Sequence, residues 1–172
     1  MARPERSEFA DYYLPYVDKV TGDNIAETLA AQPAELQALL SGVDDSRSRY
    51  RYAPDKWTLR QVIGHINDCE RLFIFRAFWF ARALDSSLPS FDQNAAMLTA
   101  GSDDRPLTDH VAEFTALRES TVMFVKNLPA EAWDRRNVAS GNPFTVRALL
   151  FVAAGHVEHH LRLIRERYLA SS

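Results

Sequence analysis

The sequence predicts an all-α fold, a four-helix bundle built by one domain. Four long segments show the three-to-four-residue apolar spacing of amphipathic helices. No segment alternates polar and apolar residues over a sustained stretch, as a half-buried strand would. Six glycines and eight prolines divide the chain at spacings that suit long helices. At 172 residues the chain suits one core better than two, so we expect a single domain over residues 1–172, with its bundle core at about 23–169.

The first two predicted helices lie in the first half of the chain. The first covers residues 23–40, and Pro33 within it predicts a kink or a break because proline lacks a backbone N–H. The second begins at Thr58, where Thr58 and Gln61 have the form of a capping box, and it runs to about Leu84. Its aromatic side chains point in nearly all directions, which is typical of a central helix or of one that a partner subunit covers.

The other two predicted helices cover residues 107–127 and 145–169. A connection of roughly 20 residues, 85–106, joins the second helix to the third and is the longest in the chain. We interpret residues 128–144 as a loop.

Three of the five histidines lie in the segment GHVEHHLRLI of the fourth predicted helix. His156 and His160 are four residues apart on one edge of its apolar stripe, so both imidazoles can reach one ion, whereas His159 falls towards the polar face. One inward histidine is more often a hydrogen-bonded core residue. Two stacked imidazoles need partners in a low-dielectric core, and a shared metal would supply them. The pair alone leaves both interpretations open.

His65 on the second helix is the third candidate ligand. His65 and His156 each follow a glycine inside a helix, Gly64 and Gly155, although an interior glycine costs about 1 kcal/mol relative to alanine. We interpret the glycines as residues that allow a close approach of helices two and four. The alternative is that both are incidental small packing residues. His65 lies near the start of its helix and His160 near the end, so their levels match if the two helices are antiparallel. With the long connection between helices two and three, this predicts an up-down-down-up topology with a long crossover.

The histidine segments also resemble those of a known family. KWTLRQVIGHINDCER and TVRALLFVAAGHVEHHLRLI are similar to the two signature segments of the DinB-like superfamily, and LPSFDQNAAML and LPAEAWDRR to its connecting segments. The resemblance covers residues 23–168. It implies a four-helix bundle of this topology and a divalent metal held by His65, His156 and His160. Zinc or nickel is expected there, and iron is an alternative.

For activity, the resemblance implies a metal-dependent transferase that uses a low-molecular-weight thiol such as bacillithiol, mycothiol or glutathione. The alternatives are a metal-dependent hydrolase and a non-catalytic bundle with a structural metal or an empty site. Three neutral imidazoles and an open coordination position are typical of catalytic metal sites. Such a metal would stabilise a thiolate in a transferase or activate water in a hydrolase.

Four residues near the histidines carry further expectations. Asp68, one turn after His65, is a candidate catalytic base; the alternative is a solvated helix residue. Cys69 stands where the family pattern has a small residue, and it is either a fourth ligand or a buried core thiol, which is the commoner environment of a free cysteine. His110 and His159 we interpret as non-ligands.

Composition limits the partners. The net charge of -3 and the pI of about 5.9 argue against nucleic acid, because phosphate binding needs a basic face. The single cysteine excludes an internal disulfide and fits a reducing cytoplasm, and no apolar run is long enough to span a membrane. We therefore expect a cytoplasmic protein that acts on a small molecule.

Aromatic residues support two further expectations. Those outside the inward stripe of helix two, together with Phe151 and Val152 of helix four, predict a homodimer, because a monomer would expose them; the alternative is that the crossover covers them. Trp57, Tyr50 and Tyr52 are expected to wall the entrance of a pocket that leads to the metal. The alternative is that these three only cap the core.

Overall fold

The computed structural model describes residues 2–22 and 24–170. Within them the chain forms short and long helices in the order α1 (Leu14–Val17), α2 (Ile25–Leu40), α3 (Asp45–Ser48), α4 (Leu59–Ala81), α5 (Gln93–Thr99), α6 (Leu107–Lys126) and α7 (Val146–Leu163). Two strands, β1 (Arg136–Ala139) and β2 (Asn142–Thr145), lie between α6 and α7. A π-helical turn, Ile164–Tyr168, ends α7. The long helices α2, α4, α6 and α7 form the bundle and are the four that the sequence predicts.

Cross-helix contacts fix the directions of α4 and α6. Asn67 on α4 donates a hydrogen bond to the carbonyl of His110 on α6 at 3.1 Å. Further along both helices, the buried Glu70 and Arg118 form an ion pair at 3.0 Å. The contacts advance together, so α4 and α6 run in the same direction.

Helix α7 runs opposite to α4. The hydroxyl of Tyr168, beyond the end of α7, donates to the carbonyl of Trp57, just before α4, at 2.7 Å. Contacts between α2 and α7, in contrast, advance together along both helices: Gln32 with Ala154, then Glu35 with Arg165. The topology is therefore up-down-down-up, with α5 in the long crossover, as predicted.

Two predicted helix boundaries differ from the structure. Helix α2 is unbroken across Pro33, because Leu29 and Leu36 on either side of the proline are fully buried and packing outweighs one lost hydrogen bond; its predicted start at Asp23 lies outside the described residues. The capping box at Thr58 is present, but α4 ends at Ala81 because Ala83 adopts a left-handed φ of 52°.

The predicted loop 128–144 contains a β-hairpin. Its two-residue turn, Ser140 and Gly141, has positive φ at both positions, 54° and 73°, as a type I′ turn requires. Leu88 of the crossover exchanges backbone hydrogen bonds with Val138 and Ser140. The prediction of no strands fails here because strands of four residues are too short for alternation to be detected.

The hydrophobic core begins before residue 23, the predicted edge of the bundle. Phe9, Val17 and Val20 of the N-terminal segment are buried in the same cluster as Phe151 and Val152 of α7. Both α7 residues are fully buried, so their assignment to an exposed patch is wrong. In the described residues no helix is long and apolar enough to cross a bilayer.

Candidate metal centre

The bundle brings the three predicted ligands together in its interior. His65 projects from the second turn of α4, and His156 and His160 from the C-terminal half of α7, with exposures of 3%, 5% and 7%. The Nε2 atom of His156 lies 3.1 Å from the Nε2 of His65 and 3.1 Å from the Nε2 of His160. Three imidazoles from two antiparallel helices thus share one small volume.

These imidazoles are uncharged at neutral pH. Burial lowers the pKa of His65 to about 4, with a smaller contribution from His159. Burial, and then the proximity of the other histidines, holds the pKa of His156 and His160 well below the ordinary value. A neutral imidazole offers a lone pair, which is the form that binds a metal.

The hydrogen bonding inside the cluster fits a bound cation. The Nε2 atom of His156 faces the Nε2 atoms of both other histidines. A single ring nitrogen carries at most one proton, so it cannot donate a hydrogen bond to each of them. Nδ1 of His160 is buried without a hydrogen-bond partner in the described part of the chain. A cation would accept all three Nε2 lone pairs at once, so the donor set suits a divalent transition metal.

Cys69 extends the cluster on one side. Its Sγ is 3.6 Å from both ring nitrogens of His65, and ligand atoms of His65, Cys69 and His156 lie within 4.8 Å of one another. Burial raises the pKa of the free Cys69 thiol to about 12, so it is protonated. The centre therefore contains three nitrogen donors and a neighbouring thiol.

The two glycines beside the histidines do not mark a close approach of α4 and α7, which corrects the interpretation from the sequence. A Cβ on Gly155 would overlap the carbonyl oxygen of Tyr16, and a Cβ on Gly64 would meet Oγ of Ser102 at 2.5 Å. Each glycine instead lies in close contact with a segment from outside the α4–α7 pair. Gly155 is needed because the N-terminal backbone crosses α7 one residue before His156.

The other polar residues near the centre lie outside it. The Asp68 carboxylate, one turn after His65, is 3.9 Å from Arg71 and is not among the residues that line the cavity described below, so its role as a catalytic base stays a prediction. The ring of His159 packs edge-on against Tyr16. His110 is buried, with Nε2 2.9 Å from the carbonyl of Ser102. The ring centroid of His159 is 5.0 Å from that of His160, and neither His159 nor His110 belongs to the cluster of His65, Cys69 and His156, so their assignment as non-ligands stays a prediction.

A cavity of about 450 Å³ reaches the centre, with His156 and Cys69 in its wall. The N-terminal residues Tyr12, Tyr13 and Tyr16 line one side. Crossover residues 90–93 line another, and Arg76 and Phe73 of α4 complete it. The ring centroid of Tyr16 is 5.7 Å from that of His156.

The residues of the predicted entrance do not line the cavity that reaches His156. Trp57 packs on the His65 ring, with centroids 4.9 Å apart, and Tyr50 and Tyr52 pack edge-on against Tyr168. These residues cap the core at the start of α4, which was the alternative. The cavity opens elsewhere because the N-terminal segment and the crossover meet over the middle of α4.

The predictions from the sequence do not include the N-terminal tyrosines or Arg76 as cavity residues. The N-terminal tyrosines lie in a segment without helical periodicity, so nothing local placed them near the histidines. Arg76 carried a signal: it is the one charged residue in the aromatic run FIFRAFWF, and a charge in an apolar helix stripe needs a reason.

Comparison with known proteins identifies the family of this chain. The family model described as the DinB superfamily matches residues 28–164, which include all three histidines. A solved structure, YfiT from Bacillus subtilis, is similar with a TM-score of 0.76 and 19% identity over 96% of this chain and 91% of that one. YfiT is described as a probable metal-dependent hydrolase with an unusual four-helix bundle topology, and at this identity the likeness shows the fold alone. No curated protein matches the sequence significantly. The family match over most of the chain shows that this protein belongs to the DinB superfamily.

Proposed function

We propose that His65, His156 and His160 hold a divalent metal, zinc or nickel, and that the protein is a metal-dependent transferase for a low-molecular-weight thiol. The observation that carries this proposal is the cavity. It leads from the surface to the buried, uncharged imidazole of His156, and its volume of about 450 Å³ accommodates a small molecule. A purely structural metal would need no such access.

The residues of the centre and the cavity have separate roles in this proposal. The three imidazoles supply lone pairs, and a metal held there would act as a Lewis acid that favours the deprotonated form of a bound thiol. Burial raises the pKa of the Tyr16 hydroxyl to about 12, so Tyr16 stays protonated and can donate a hydrogen bond to a ligand beside His156. Phe73 and the tyrosines line the cavity beside these groups, so a bound ligand would be surrounded by aromatic rings.

A metal-dependent hydrolase is the second candidate. What favours it is the description of YfiT, whose fold this chain shares. The same centre would serve, with water rather than a thiol as the nucleophile. The two candidates therefore differ in the second substrate and not in the ligand set.

Elemental analysis followed by two activity screens tests these proposals. Protein purified without a metal-affinity tag should contain about one divalent ion per chain. It is then incubated with electrophiles plus bacillithiol, mycothiol or glutathione, and separately with ester and amide substrates alone. Thiol-dependent conjugation supports the transferase, and thiol-independent cleavage the hydrolase. Bound metal without turnover in either screen favours the structural alternative, and absence of metal contradicts both candidates.

We also propose that the protein is a cytoplasmic homodimer. Phe75 and Phe78 on α4 remain 49% and 39% exposed, so the crossover does not cover them, and a second copy of the chain would. Light scattering at micromolar concentration should give twice the 19.5 kDa of one chain. A Phe75→Glu, Phe78→Glu variant should be monomeric, and a monomeric wild-type protein would contradict the proposal.

A further inference from the structure

Arg76 is a buried cation without a counter-ion. Its side chain is 2% exposed, and no carboxylate in the described residues lies within 4.0 Å of its guanidinium group. Nη2 donates to the carbonyl of Pro89 at 2.9 Å and to Oγ of Ser140 at 2.8 Å, and the neutral Tyr13 hydroxyl also contacts the guanidinium, whereas Nε has no partner among the described residues. Arginine does not lose its proton in proteins, and a buried charge without an opposite charge is costly.

The other buried arginines of the bundle differ from Arg76 in this respect. Arg60 pairs with Asp45, and Arg118 pairs with Glu70. Arg76 has only neutral oxygens, and it lines the cavity that reaches Cys69 and His156. In the described part of the chain, the Arg76 charge therefore faces the cavity without an opposite charge beside it.

Arg76 and the candidate metal centre lie on the same face of α4. Arg76 follows Cys69 by seven residues, two helical turns, which corresponds to about 10 Å along the axis. A molecule that contacts both must extend over roughly that length. The cavity between them is lined by the aromatic rings of Tyr13 and Phe73.

We propose that Arg76 binds a carboxylate of the substrate, so that the protein acts on small organic acids with an apolar or aromatic body. This inference deepens the proposed function and rests on it, since the cavity must serve the histidine centre. The guanidinium fixes one end of the acid while its reactive end lies beside His156.

A carboxylate fits better than a phosphate. Among the described residues that line the cavity, Arg76 is the only cation, and Asp92 at the rim adds a negative charge. Oδ1 of Asp92 is held by the backbone N–H groups of Asn94 and Ala95 at the start of α5, so it is not free to turn towards Arg76. One cation opposed by one anion favours a monoanion over a dianion.

The test compares phenylacetate with its neutral analogue phenylacetamide by calorimetry, on metal-loaded and chelator-treated protein. Chelator-treated protein should bind phenylacetate about tenfold more tightly than it binds phenylacetamide, because a hydrogen bond to a charged group contributes that much. Phenylphosphate should not bind more tightly than phenylacetate. Equal binding of the acid and the amide, or a preference for the phosphate ester, would overturn the proposal. Since this arm needs no metal, it is independent of the metal analysis that tests the proposed function.

Variants separate the charge from a structural role. Arg76→Met should remove the preference for the acid and leave phenylacetamide affinity within twofold, while Arg76→Lys should keep most of the preference. Arg71→Met is the matched control: Arg71 is on the same helix but pairs with Glu113 outside the cavity, so the preference should persist. If a folded Arg76→Met protein loses affinity for the acid and the amide alike, Arg76 has a structural role and the proposal is contradicted. If that variant fails to fold, the wild-type comparison and Arg76→Lys still decide.

Discussion

At the residue scale, the position of a nitrogen atom separates His160 from its neighbour His159. Nε2 of His160 lies 3.1 Å from that of His156, whereas the His159 ring packs against Tyr16. His160→Ala should weaken metal binding by at least tenfold, as expected when a direct ligand is lost, and His159→Ala should retain most of it. Metal content after dialysis measures both.

A ligand set that contains the Cys69 thiol in place of His160 would contradict this prediction. If His160→Ala keeps its metal and Cys69→Ala loses it, the ligand set is His65, Cys69 and His156, the cluster in which all ligand atoms are within 4.8 Å. In that case His160 would be a core residue.

Gly155 gives a prediction on stability. Gly155→Ala should destabilise the fold by about 2 kcal/mol or more, because the new methyl group overlaps the Tyr16 carbonyl and two backbones must separate. For a chain of this size that lowers Tm by roughly 4–8 °C. Gly42→Ala is the control, since an added Cβ there meets nothing within 4 Å. Equal melting temperatures for the two variants would contradict the close approach.

At the element scale, an ion pair ties the N-terminal segment to the start of α7. The Glu8 carboxylate accepts hydrogen bonds from Arg147 at 3.0 and 3.1 Å and from Thr145 at 2.6 Å. Burial by itself would raise the pKa of Glu8, but these bonds and the backbone N–H of Glu5 together lower it below the ordinary 4.5. Folding therefore favours the ionised form.

The pH dependence of stability follows from this shift. Stabilisation by Glu8 should be complete above pH 4.5 and should be lost as the pH falls through the lower pKa of the folded state. Glu8→Gln should cost about 1–3 kcal/mol at pH 7, and the difference from wild type should shrink in acid. Urea unfolding of both proteins from pH 7 to pH 3 measures it. A difference that does not change with pH would mean that the carboxylate charge contributes nothing.

At the scale of the whole molecule, a metal would join two antiparallel helices, α4 and α7. At a free metal concentration 100 times its Kd, binding adds about 2.7 kcal/mol, or roughly 5–10 °C in Tm for this size. Chelation should remove that increment and metal should restore it. A His65→Ala, His156→Ala variant should melt at one temperature with or without chelator. An equal response to chelator in that variant would locate the metal elsewhere.

Local pattern in the sequence determined the bundle helices and the spacing of the histidines. Apolar periodicity needs only neighbours on one helix, and the capping box at Thr58 involves residues three apart. His156 and His160 share a face for the same reason. The equal depth of His65 and His160 in their helices, together with the long crossover, also predicted the topology.

Only the tertiary structure decided what surrounds the histidines. Tyr16 reaches Gly155 across about 140 residues of chain, and the crossover joins the hairpin through Leu88 and Val138. Such contacts depend on which segments lie over α4 and α7, and no local spacing encodes them. For that reason the sequence does not reveal the cavity beside Arg76, whose walls come from the N-terminal segment, the crossover and α4.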